Sequence, residues 1–107
     1  MSNEIFANSV PASRDLAGVF EYDGDTGYFY LYEPKGAKII GALHVVSGVI
    51  SFAFDNVSIR WDHSETKVGL FIKNVMWGSY DSISGEKFGG GYRADGSPNI
   101  PPSVAFW

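Results

Sequence analysis

The sequence predicts an all-β fold: an antiparallel sandwich or small barrel of about seven strands, ending in an irregular Gly/Pro-rich C-terminal tail. Three observations carry that prediction. Aromatic residues make up 16% of the 107-residue chain and fall mostly in alternating runs, which suit a pleated surface better than a helix. Clusters of Asp, Asn, Gly, Ser and Pro recur about every 8–12 positions, the spacing of hairpin turns. No helix longer than about two turns fits the apolar spacing.

The elements follow in order. Residues 1–16 show no clean period and contain Pro11, so they read as a lead-in arm. Ala17 to Tyr22 is the first strand. Asp23-Gly24-Asp25-Thr26-Gly27 is turn chemistry, because glycine accepts positive φ and Asp side chains bond nearby backbone N–H groups. Gly27 to Glu33 returns as the second strand, and Pro34-Lys35-Gly36 makes the next turn. Ala37 to Val46 also fits a short helix, but the β-branched pairs Ile39-Ile40 and Val45-Val46 favour a strand from Lys38 to Val46. Val49 to Phe54 reads as a strand after the Ser47-Gly48 turn. Asp55-Asn56 turns the chain into Val57 to Asp62, where Val57, Ile59 and Trp61 share a face. Lys67 to Lys73 points Val68, Leu70 and Ile72 inward, Asn74 turns, and Val75 to Asp81 completes a β core over residues 17–81. Residues 82–107 form the irregular tail. Gly89-Gly90-Gly91 and the run from Asp95 to Pro102 do not suit a sheet interior, and Phe106 and Trp107 would pin the tail by docking on apolar surface. The whole is read as one domain, 1–107.

Composition narrows the function classes. Eight Lys+Arg against twelve Asp+Glu give a net charge of −4, and there is no cysteine. A disulfide scaffold, a cysteine-based zinc site, an iron–sulfur cluster and a thiol nucleophile are thereby excluded. Nucleic acid is not an expected partner, since phosphate binding needs a basic face and Arg60 and Arg93 stand apart from any basic cluster. The longest apolar region, 39–54, is interrupted by Gly41, His44, Ser47, Gly48 and Ser51, so no membrane span is expected. The first five residues lack the charged and apolar regions of a signal peptide, which makes the cytoplasm the default location.

The segment Phe20-Glu21-Tyr22-Asp23-Gly24-Asp25-Thr26-Gly27-Tyr28-Phe29-Tyr30 resembles the hairpin of a family of small uncharacterised bacterial proteins, in which an acidic turn precedes a Gly-Tyr-Phe-Tyr strand. Ala42-Leu43-His44-Val45, Trp61, Leu70 and Asp81 are similar to the same pattern, so the resemblance covers about residues 17–81. It implies a bacterial origin and carries no activity with it.

Candidate site residues lie in that hairpin. Asp23 and Asp25 offer oxygens to a hard cation, but a calcium loop needs about six to eight ligands, so turn stabilisation is the stronger reading and no metal is assigned. Tyr28, Tyr30 and Tyr32 share one strand face; pairing Tyr22 with Tyr28 would add Tyr22 and Phe20 to make five aromatics on one surface. That surface is either core or an exposed platform for a protein or sugar. His44 falls on the face of Ile40, Ala42 and Val46, as a buried or half-buried imidazole. Asp62-His63-Ser64-Glu65 contains triad residue types, but neighbours on a tight turn diverge, and the cluster reads as a hairpin turn. Gly89-Gly90-Gly91 lacks the Lys-Ser/Thr of a phosphate loop.

No catalytic residue and no cofactor is assigned, and the residues lean away from an enzyme; pairing His44 with Asp81 is the one hydrolytic arrangement worth a test. The leading expectation is a non-enzymatic protein-binding module, of inhibitor or immunity type, that steers an acidic surface towards a basic partner. The alternative is a small-ligand or carbohydrate-binding module using Tyr22, Tyr28, Tyr30 and Tyr32, with Asp23, Asp25 and His44 as polar contacts. Open sheet edges add the expectation of a homodimer.

Overall fold

The computed structural model describes residues 4–12, 15–50 and 52–93. In chain order the strands are β1 (Ile5–Ser9), β2 (Ala17–Tyr22), β3 (Thr26–Glu33), β4 (Lys38–Ser47), β5 (Val57–Trp61), β6 (Lys67–Ile72), β7 (Val75–Asp81), β8 (Lys87–Gly89) and β9 (Tyr92–Arg93). They form two sheets, a larger one ordered β1-β2-β3-β4-β9 and a smaller one ordered β5-β6-β7-β8. All pairings are antiparallel except the short parallel contact of β9 with β4. The sheets pack face to face as a sandwich and do not close into a barrel.

Alternation explains the core. Phe20, Phe29, Leu31, Val45 and Val46 from the larger sheet meet Val68, Leu70, Ile72 and Trp77 from the smaller one, in a single cluster against which Val57, Ile59 and Trp61 also pack. Each of these large side chains contributes about 1.5–3 kcal/mol when removed from water. The hairpin between β6 and β7 turns on Lys73 and Asn74, both at positive φ (52° and 65°), a pair whose twist matches the flanking strands.

Three expectations about organisation are corrected. Part of the lead-in arm is strand β1: Ile5 is buried and Phe6 exposed, so an in–out alternation is present that Asn8 and Ser9 obscured. Val49 to Phe54 is not a strand. The Ile50 N–H donates to the Tyr22 hydroxyl (3.3 Å), Ile50 and Phe52 drop into the core while Val49 stays 80% exposed, and a 3-10 turn follows at Phe54–Asn56. This segment is the crossover between the sheets, so its apolar residues plug the core without pairing. Within the described part of the C-terminal segment, residues 82–93, two short strands occur that were not expected, β8 and β9. The chain passes from the edge of one sheet to the edge of the other through Gly89, Gly90 and Gly91, at φ 87°, 94° and 71°. Successive left-handed residues make that corner, which is why three glycines stand there. The run from Asp95 to Pro102, together with Phe106 and Trp107, lies outside the described residues.

Three turns use the same device. Asp23 Oδ1 accepts the N–H groups of Asp25 (2.9 Å) and Thr26 (2.8 Å). Asp62 Oδ1 accepts those of Thr66 (3.0 Å) and Lys67 (3.1 Å), and Asp81 Oδ1 those of Ile83 (2.9 Å) and Ser84 (3.1 Å). Hydrogen bonds from Thr26 and Asp25 hold the Asp23 carboxyl below its ordinary value. At Asp62 and Asp81 slight burial pushes upward, but the N–H donors and the Lys67 charge prevail and both are lowered. A depressed carboxyl in the folded state means that the unfolded chain binds more protons below about pH 4, so stability falls as pH falls through the folded values. The urea midpoint is therefore expected to hold from pH 7 to about 5 and drop steadily towards pH 2, with a shallower drop in Asp62→Asn. A midpoint flat across that acid range would contradict the role given to these turns.

Candidate functional site

The turn joining β2 to β3 is shorter than the aromatic pattern suggests. The Asp23 N–H donates to the Thr26 carbonyl (3.1 Å) while the Asp23 carboxylate takes the Thr26 N–H, so Tyr22 pairs with Gly27 and not with Tyr28. Phe20 then lies opposite Phe29, and Glu21 opposite Tyr28. A shift of one residue sends every side chain of a strand to the other face. The expected row of five aromatics therefore splits. Phe20 and Tyr22 join Phe29 and Leu31 in the core, whereas Tyr28, Tyr30 and Tyr32 point away from the smaller sheet, beside Glu21, Val19 and Ala17.

Tyr22 is thus buried, at 2% exposure, and holds the fold together. Its hydroxyl donates to the Gly48 carbonyl (2.6 Å) and accepts the Ile50 N–H, anchoring the chain as it leaves β4. Asp25 joins that anchor through its backbone, whose carbonyl accepts the Gly48 N–H (2.6 Å), while its side chain is exposed.

On the outward face Tyr28 is 44% exposed and its ring centroid lies 5.0 Å from that of His44, directly across on β4, at a 36° tilt. His44 is exposed, contrary to the buried or half-buried placement expected of it. A bulge at Val45 is the reason: it turns Val46 inward, leaving His44 outward with Ala42. A second bulge at Ile40 leaves Ile39 and Ile40 both exposed beside Tyr32. Tyr30 and Tyr32 are half-buried. The Tyr30 hydroxyl donates to Glu21 Oε1 at 2.7 Å. Burial, then the hydrogen bond and charge of Glu21, push that phenol well above its ordinary value, in keeping with its hydroxyl donating to the Glu21 carboxylate.

Where β1 meets the β2–β3 turn, the face hollows into a cleft of about 410 Å³. Phe6, 56% exposed and paired with Glu21, forms a wall with Tyr28, while Glu4, Glu21 and Asp23 supply negative charge. Phe6 and Glu4 are not legible in the sequence, because Ile5, Phe6 and Ala7 run on as apolar residues and Asn8 and Ser9 follow as polar ones, so no polar–apolar alternation marks β1.

The other arrangements do not converge. Asp62 and Ser64 bond each other within their turn (2.9 Å), beside an exposed His63. His44 stands against Tyr28 on the larger sheet; Asp81 belongs to the smaller sheet, where its carboxylate holds the Ile83–Ser84 turn. Among the described residues no group of three or more His, Cys, Asp or Glu side chains is placed to hold a metal ion, and no helix is long and apolar enough to cross a membrane. What the face offers chemically is aromatic stacking, hydrogen bonding and negative charge.

The model of a family of uncharacterised proteins conserved in bacteria (DUF2251) matches residues 1–99. The chain belongs to that family. The match reaches well beyond the 17–81 stretch that carried the resemblance, taking in β1, β8 and β9. No curated protein and no solved structure matches the chain.

Proposed function

We propose that the chain is a non-enzymatic protein-binding module whose contact surface is the outward face of the larger sheet. The observation that supports this most directly is the exposure of large apolar side chains on one face: Phe6 at 56%, Tyr28 at 44%, Ile39 at 57% and Ile40 at 46%, with exposed His44 and Ala42 between them. A sheet face that met only water would carry short polar and charged residues; contiguous exposed aromatic and aliphatic groups mark contact surfaces. Tyr and Phe supply large contact area at small entropic cost. An inhibitor or immunity-type role is the specific form this reading favours, in which the acidic face covers a basic site on its partner.

The concave, tyrosine-walled cleft favours a second reading, a small-ligand or carbohydrate-binding module in which Tyr28 stacks on the ligand and Glu21 or Asp23 accepts its hydroxyls.

Affinity capture from the native bacterium's lysate separates these. The first reading expects one protein retained near stoichiometry by the parent chain and lost with Tyr28→Ser, whose fold is verified by circular dichroism. Equal capture by both chains would remove this face as the contact surface.

A further inference from the structure

We propose that the cleft at the corner of this face is a subsite for an arginine side chain of the partner protein, whose guanidinium lies over the Tyr28 ring and pairs with the Glu21 carboxylate. The proposal rests on the protein-binding reading above and adds to it the chemistry of the partner.

Shape and exposure come first. The cleft, at about 410 Å³, lies in the range of sites that enclose a side chain or small ligand, and its walls are the exposed rings of Phe6 and Tyr28. The face of an aromatic ring carries negative quadrupolar charge and attracts a cation placed over it. This chain already makes such a contact elsewhere: the Arg60 guanidinium stands 4.4 Å from the Phe71 ring centroid on the smaller sheet.

Polar groups then select the charge sign. Glu4, Glu21 and Asp23 line the cleft, and no Lys or Arg does so among the described residues. Glu21 is oriented in advance, because Tyr30 holds Oε1 and remains protonated at neutral pH. Its other oxygen has no partner among the described residues and is left to accept an N–H of the incoming group. Asp23 Oδ1 is engaged by the Asp25 and Thr26 N–H groups and Oδ2 only by the Thr26 hydroxyl at 3.3 Å, so Asp23 adds charge to the cleft and keeps acceptor capacity on Oδ2. A guanidinium suits this arrangement better than an ammonium, since its plane can stack on a ring while its edge pairs with a carboxylate.

A second copy of the chain fits worse. A two-fold contact whose axis passes through the cleft would set Glu4, Glu21 and Asp23 against their own counterparts, and like charges brought together across an interface are costly.

The test is an NMR titration of the full chain with Ac-Gly-Arg-Gly-NH2, alongside the same peptide with lysine or with neutral citrulline in place of arginine. The expected result is saturable shifts confined to Phe6, Glu21 and Tyr28, and binding at least about threefold tighter for arginine than for citrulline, a ratio that shrinks as salt rises. Glu21→Gln, which keeps an acceptor for Tyr30 and is checked by unchanged core resonances, should weaken the arginine peptide by about fivefold. Citrulline binding as well as arginine, or an absence of saturable shifts at Tyr28, overturns the subsite. So does concentration-dependent dimerisation abolished by Tyr28→Ser, which would assign the face to a second copy. If the peptide fails while Tyr28→Ser still abolishes protein capture, the arginine subsite falls and the protein-binding reading stands. If Tyr28→Ser leaves capture intact, both fall.

Discussion

Phe29→Ala is expected to lower the unfolding free energy by about 3–5 kcal/mol, while Tyr28→Ala, its neighbour in sequence, changes it by about 1 kcal/mol or less. Both are large aromatics in the middle of β3, and β-propensity alone would rank them alike. The register separates them. Phe29 is fully buried opposite Phe20, inside the cluster that joins the two sheets, so truncation leaves a cavity that rigid neighbours on both sheets cannot close. Tyr28 stands 44% exposed against His44, and its removal loses one partial ring contact. Urea denaturation of the two variants measures the difference directly. Equal losses, or a larger loss at Tyr28, would mean that the tyrosine face and not the phenylalanine face is the core, and the binding proposals would lose their surface.

Gly41→Ala is expected to cost about 1–3 kcal/mol, although one methyl group is added to an exposed-edge strand. Gly41 pairs with Leu31 on the inward side of β4, and a Cβ there would collide with the ring and hydroxyl of Tyr80, which packs across from the smaller sheet. Tyr80 is itself 7% exposed and packed in the core cluster, so moving its ring disturbs the contacts of its neighbours. Shrinking it should therefore compensate: Gly41→Ala combined with Tyr80→Leu should be less destabilised than the sum of the single variants, by at least about 0.5 kcal/mol. Additive losses would show that Tyr80 is not what the glycine accommodates.

Much of the fold was legible because strand faces and turns are local properties. The alternation of Val57, Ile59 and Trp61, and of Val68, Leu70 and Ile72, sends those side chains into the cluster as the period-two pattern requires. Asp23, Asp62 and Asp81 hold turns, as Asp does wherever its short carboxylate reaches backbone N–H groups two to five residues on. The candidate site was legible in part. Tyr28, Tyr30 and Tyr32 do share a face, but Tyr22 does not share it, and Phe6 was hidden in a segment whose Asn and Ser residues disguise an edge strand.

The amino-acid sequence by itself determined the all-β class, the positions of most hairpins, the acidic balance and the absence of cysteine chemistry. Only the tertiary structure decided which face of the β2–β3 hairpin is buried, that His44 is exposed beside Tyr28, and that three glycines carry the chain from one sheet to the other. The reason is geometric. Alternation fixes which residues of one strand lie together, but a turn one residue shorter, or a bulge such as those at Val45 and Ile40, reverses the relation between neighbouring strands. That relation is settled by the packing of the opposite sheet, where Phe20 and Tyr22 fill the core and Glu21 remains on the outside.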